Sequence, residues 1–247
     1  MLHWTKRRTS GDVGWIVMPT PASLIWDAPA PFARKLPKPV SAKSVQLCPA
    51  IVDFDARHVV VPCPIDLHVR FAYDAKGVPR CINADGAQST VRPKALGQMI
   101  AIVAQSEWRH PDRPIIQIIT PYVFVADSPV WLNQLPPFLD YAPAPLPGVL
   151  IAGRFPIHIW PRPLMWAFEW HDIAQPIVIA RGQPWFTLRF DTPEPGRIPR
   201  LVEAMLTPEV KAYIDGLSGV TNYVSRTFSL FDRALGRRPR QLLVSKR

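Results

Sequence analysis

Proline occupies 30 of the 247 positions, more than twice the roughly 5% of an ordinary globular chain. Each proline removes a backbone N–H, fixes its own φ and pushes the preceding residue out of the helical region. Long helices are therefore excluded over most of the chain, and the pattern favours many short extended segments between proline-marked turns. Disorder is excluded by the rest of the composition, because 48% of the residues are hydrophobic and 10% aromatic, enough to build a core. The 12 glycines follow no triplet period, which excludes a collagen-like chain.

Six prolines fall between residues 19 and 47, interleaved with Trp26, Phe32 and basic side chains. That spacing predicts an extended, proline-rich, basic arm over residues 1–47. Its apolar residues imply that it lies on the body or on a neighbouring subunit. From Ile51 to Phe190, runs rich in β-branched and aromatic residues recur. His58–Pro62 and Ile65–Phe71 read as strands. In the second, Ile65, Leu67, Val69 and Phe71 alternate with Asp66, His68 and Arg70, which turns one face inward. Asp74–Gly77 reads as a turn into a strand near Val78–Ile82, and Pro114–Thr120 and Tyr122–Ala126 as core strands with a bend at Pro121. Further strands are expected at Val149–Ala152, Ile157–Trp160, Met165–Trp170, Ile177–Ala180 and Trp185–Phe190. Without alternating helices, residues 48–200 make a β-rich body.

Thr207, Pro208 and Glu209 combine an N-cap, a first-turn proline and an early acid, predicting a helix that stops at Gly216. Thr221 reads as the cap of a second helix ending at Gly236, with Val224, Phe228, Phe231 and Leu235 on one face. Residues 201–236 are thus expected to be C-terminal helices packed on the body, and residues 237–247 a basic tail. The fold class is α+β and β-dominated, an antiparallel sandwich or barrel-like body with two short C-terminal helices.

The formal net charge is +10, and its placement decides what it means. Residues 1–45 hold seven basic and two acidic side chains, and residues 236–247 hold five basic and no acidic ones, so the stretch between them is neutral. A neutral body argues against a nucleic-acid-reading groove built into the fold. It points instead to ends, carrying Lys6, Arg7, Arg8, Arg237, Arg238 and Arg240, that touch a polyanion or an acidic partner. Cys48, Cys63 and Cys81 form no CxxC pair and read as reduced thiols. No segment reads as a signal peptide, and none reaches the roughly 18 apolar residues of a membrane span. The expectation is a protein made in the cytoplasm with no membrane partner.

Phosphate-binding glycine loops, a GxSxG elbow, HExxH and EF-hand loops are absent from the sequence. The densest chemistry lies between Phe155 and Asp191. Glu169 and His171 share one strand face by period 2, and with His158 from a neighbouring strand they make a candidate two-histidine, one-carboxylate set for iron or another divalent metal. The same stretch carries Trp160, Trp166, Trp170 and Trp185 with Arg162 and Arg189, a set suited to stacking a carbohydrate if the rings are exposed, or to a core if they are not.

Several phrases resemble a family of proteins encoded by tailed bacteriophages, particularly phages of marine bacteria. They are Cys48-Pro-Ala-Ile-Val-Asp-Phe54, Val61-Pro-Cys-Pro-Ile-Asp-Leu67, Trp160-Pro-Arg-Pro-Leu-Met-Trp166, and Gly219-Val-Thr-Asn-Tyr-Val-Ser-Arg-Thr-Phe-Ser-Leu-Phe231 before Arg237-Arg-Pro. The resemblance spans most of residues 48–240. It implies a phage-like context, with the virion as a destination, and carries no activity or site residues. The reading that follows is a non-enzymatic structural or interaction protein without a cofactor, whose arm and tail contact neighbouring subunits, a second copy or a polyanion. The alternatives are a metal-dependent β-barrel oxygenase-like enzyme and a carbohydrate-binding module.

Overall fold

The computed structural model describes residues 11–20, 24–33, 41, 43–138, 145–220 and 227–246. Among them, β1 (Asp12–Val17) and β2 (Ala30–Pro31) precede α1 (Pro49–Ala56), β3 (His58–Pro62), β4 (Leu67–Tyr73) and β5 (Pro79–Asn83). Next come α2 (Pro93–Met99), β6 (Ile100–Ile102), the long β7 (Ile115–Val125) and β8 (Trp131–Leu135). Then follow β9 (Gly148–Leu150), β10 (Gly153–Pro156), β11 (Pro163–Trp170), β12 (Ile177–Ile179), β13 (Pro184–Asp191) and β14 (Arg200–Glu203). The chain closes with α3 (Pro208–Val220) and α4 (Thr227–Arg237). The protein is β-dominated, with curled sheets packed as a sandwich and two C-terminal helices, as the proline spacing and the strand periodicity predict.

Three sheets build the body. The first has the order β14-β1-β7-β11-β9 with β6 also paired to β7, the second β10-β8-β13-β3-β2, and the third β12-β4-β5. Their inner faces meet in one core. Trp166 and Phe168, two residues apart on β11, stack with ring centroids 4.8 Å apart and planes 3° from parallel. Trp185 of β13 packs on Trp166 at 6.2 Å, and Tyr122, Phe124, Leu132 and Phe186 fill the same layer. The third sheet closes one end, with Leu67, Val69 and Phe71 of β4 facing in while His68 and Arg70 face out, the alternation expected from period 2. The turn expected after it forms at Asp74–Gly77, where Asp74 Oδ1 accepts from the amides of Lys76 (2.9 Å) and Val78 (3.0 Å). Gly77 there takes φ +74°, a conformation that favours glycine.

Pro121 does not divide β7. Strand β11 runs along one edge of β7. The other edge is shared, with β6 on Ile116–Ile118 and β1 on Tyr122–Val125. Pro121 falls at the hand-over, where the missing N–H forfeits no ladder bond, and β11 shifts register opposite it between Pro163 and Met165.

The second half of β7 is buried on both faces. Tyr122 and Phe124 point into the sandwich, while Val123 and Val125 meet Ile16, Val210, Ile214, Leu217, Ala234 and Leu242. The C-terminal helices are therefore a third layer on the outer face of the first sheet. Helix α3 begins as expected, with Thr207 Oγ1 accepting from the Val210 amide at 3.2 Å and Pro208 at the first position. It passes Gly216 and ends at Val220, because Leu217 is buried against the sheet and packing overrides the glycine. In α4, Leu230 and Ala234 face inward and Leu235 is 56% exposed, so the buried face is turned from the one expected. Thr221, Val224 and the Phe228 side chain lie outside the described residues.

Several segments differ from their sequence reading. Within the expected arm, Val13 and Ile16 are buried and β1 lies between β7 and β14. Ile157–Trp160 is a turn, because amides of Ile159 and Trp160 both bond the Pro156 carbonyl, at 3.0 and 2.8 Å. Residues 244–246 run beside the end of β14, where the Lys246 amide donates to Glu203 O at 2.9 Å. Ala204 bridges Ser245, the Met205 amide donates to Val244 O at 2.7 Å, and Leu242 is fully buried. No helix among the described residues is long and apolar enough to cross a membrane.

Leu242→Ala is expected to cost about 2–5 kcal/mol in urea unfolding, while Leu235→Ala, at an exposed helical position, stays within about 0.5 kcal/mol. Equal, negligible effects would show that the C-terminal segment is not packed in solution.

Candidate functional site

The proposed metal ligands fall in two places. Glu169 and His171 share a face of the β11 end, and His171 Nε2 lies 3.0 Å from Glu169 Oε1. Around this buried carboxylate, Arg109 Nε stands 3.8 Å from Oε2 and Arg113 Nη1 4.0 Å from Oε1. Glu169 Oε2 itself makes no hydrogen bond. The arrangement is an ion cluster that ties the loop before β7 to the end of β11. His158 belongs to the turn after β10, before the start of β11, with Nδ1 3.0 Å from Val130 O and its ring against Trp131. Between Pro163 and Glu169 lies roughly 20 Å of extended strand. Among the described residues, no group of three or more His, Cys, Asp or Glu side chains is placed to hold a metal.

The tryptophans also divide. Trp166, Trp170 and Trp185 are 0%, 0% and 1% exposed, so their ring faces are spent on the core and offer nothing to a sugar. Trp166 Nε1 donates to Trp185 O at 3.2 Å, and Trp170 Nε1 to Asp172 O at 2.9 Å. Trp160 differs. It is half-buried beside Phe231, 5.5 Å away, and the Arg162 guanidinium lies over its ring at 4.9 Å from the centroid. Together with Pro163, Met165, Ile119 and Ile214, these two residues line a cleft of about 290 Å³ between the first sheet and α3. Arg189 lies away from this cleft on β13, its Nε 3.1 Å from Asp191 Oδ1.

The basic ends are equally uneven. Lys6, Arg7 and Arg8 lie outside the described residues. Arg237 and Arg240 are exposed. Arg238 is only 14% exposed at its side chain, and it donates to the carbonyls of His158 (2.5 Å), Pro239 (2.9 Å) and Asp127 (3.1 Å). It holds the C-terminal segment to the β7–β8 connection, while Asp127 Oδ1 accepts the Leu242 amide at 2.6 Å. Of the cysteines, Cys63 is buried and Cys81 half-buried, and burial pushes both thiols up to about 12. Cys48 is exposed.

One feature escapes the sequence reading. Residues 49–56, placed by the sequence within the β-rich body, form α1, and not one of its residues is buried. Val52 is 52% exposed, and in the preceding turn Val45 is 69% and Leu47 50% exposed. At the end of the segment Phe54 meets Phe138, itself 46% exposed, with ring centroids 6.1 Å apart. The signal available was Pro49 at a helical first position, but neither Cys48 nor any neighbour supplies a side-chain cap, so no start pattern stood out. The result is an apolar surface segment beside a well-packed sandwich.

Comparison with family models, with curated proteins and with solved structures finds no match for the chain.

Two histidines carry a consequence for pH. Burial lowers the pKa of both His58, which sits 2.7 Å from Phe54 O, and His158, with nearby Arg189 and Arg238 respectively adding to the effect. The folded state thus disfavours imidazolium, whereas the unfolded chain takes up protons near pH ~6.5. Their contribution to stability is complete above that value and is lost as pH falls from it towards the lowered folded pKa. Thermal melts from pH 7.5 to 5.5 are expected to show a falling Tm, with a flatter profile in the His58→Gln/His158→Gln variant. An unchanged slope in the variant would assign the loss to other groups.

Proposed function

We propose that the protein is a non-enzymatic structural or interaction protein, phage-encoded as the sequence resemblance implies, and that residues 43–56 dock on a second copy of the chain. The supporting observation is α1, an apolar helix that buries none of its own residues, preceded by exposed Val45 and Leu47. Exposed large apolar side chains gathered in one short segment mark interaction sites. A second copy suits it because it presents the same exposed Val45, Leu47 and Val52, so that like segments can cover one another about a two-fold axis, while the Asp53 carboxylate is already held by Arg57 of its own chain at 2.8 and 2.9 Å. Apolar contact supplies the affinity.

Light scattering at increasing concentration tests this directly. The wild type is expected to gain mass, and Leu47→Asp/Val52→Asp to remain monomeric with its Tm preserved, since both positions are exposed. A wild type that stays monomeric throughout, or a variant that associates equally well, overturns the reading.

A further inference from the structure

We infer that the cleft under α3 is a binding site for a small organic carboxylate with an apolar tail, held at its carboxylate by Arg162. The inference is independent of the docking segment, which lies elsewhere on the chain. Arg162 is half-buried, yet among the described residues no carboxylate stands within ion-pair distance of it. Its guanidinium faces the Trp160 ring, and among the described residues its Nη2 reaches only the Met165 thioether sulfur, at 3.5 Å. A thioether is a weak acceptor. A cation drawn out of water normally carries a paired anion, and among the described residues Arg57 has Asp53 and Arg189 has Asp191. Arg238, 14% exposed, meets backbone carbonyls and Asp127. Burial also lowers the Arg162 pKa, with no charged neighbour contributing, and the group remains charged throughout the range where proteins fold.

The walls define the rest of the ligand. Ile119, Pro163, Ile214 and Leu217 are apolar, and a second cleft of about 230 Å³ meets the first at Ile119 and Pro163 and continues past Met18 and Met99. One guanidinium balances one negative charge and presents a fork that matches a carboxylate. A phosphate dianion would leave charge uncompensated against hydrocarbon. The chemistry selected is thus a monoanionic carboxylate on an alkyl body, with the head at Arg162 and the tail along the groove under α3.

Calorimetric titration of the full chain with decanoate, 1-decanol and inorganic phosphate tests the assignment. Saturable one-to-one binding of decanoate is expected, weakened at least about tenfold when the charged head is replaced by the alcohol. Arg162→Met is expected to lose decanoate binding by a similar factor, while Arg162→Lys retains part of it. The decanoate–decanol comparison uses the unaltered protein and so does not depend on the folding of any variant. No saturable decanoate binding, equal binding of decanol, or binding of phosphate as tight as decanoate would each overturn the site.

Discussion

The second half of β7 bears the structure's main constraint, because it is the place where one strand must bury both of its faces at once. Tyr122 and Phe124 face the sandwich core, and Val123 and Val125 face the helical layer. Neither face has water to fall back on, so every residue from Tyr122 to Val125 is apolar or aromatic, the continuous run that double-sided burial demands. One edge is committed to β1 along its whole length, and β11 reaches the other at Val123, opposite Pro163. The sandwich and the helices are consequently one packing problem, and the C-terminal segment is drawn into it through Leu242.

This shared strand explains which parts of the fold the amino-acid pattern reveals. Where one face meets core and the other water, as in β4, alternation is visible and Leu67, Val69 and Phe71 fall on the buried side. Aromatic runs disclose β11 and β13, because only a core accommodates so many large rings so close in sequence. Pro121 misleads for a reason that is local in appearance and tertiary in cause. A proline ends a strand only if the ladder needs its N–H, and here the ladder changes partner at that residue. β1 is hidden for the converse reason. Its pairing with β7 and β14 joins residues more than a hundred positions apart, and nothing in a short apolar patch at Val13–Val17 announces so distant a partner. The short helices α1 and α2 start at Pro49 and Pro93 with no side-chain cap, leaving proline, elsewhere in this chain a strand-turn marker, as their sole local sign.

Charge is the property least readable from composition. The basic excess at the two ends suggests solvated tails, yet Arg238 spends its donors on the carbonyls of His158, Pro239 and Asp127. What matters is whether the guanidinium finds acceptors that would otherwise be orphaned, and at the junction of the β10–β11 turn with the C-terminal segment it does. Glu169 shows the same logic with the sign reversed. Its burial follows from its place on the aromatic strand β11, and Arg109, Arg113 and His171 gather round it as the compensation. The pairing of Glu169 with His171 was legible from period 2. The distance of His158 was not, since it depends on the Ile157–Trp160 segment turning at Pro156 rather than running on as a strand.

Arg162 is the exception to that compensation, which is why it separates function from stability. A fold selected for stability alone gains nothing from a half-buried cation whose contacts are an indole face and a thioether, because an apolar side chain of similar volume would fill the same space without the desolvation penalty. Cation–π contact with Trp160 offsets part of that penalty and orients the fork. It leaves the remaining donors without an anion among the described residues. A charge without an anion among the described residues, set against an otherwise apolar groove, is the arrangement in which a ligand anion gains most, since the protein has already met part of the cost of desolvating its half of the pair.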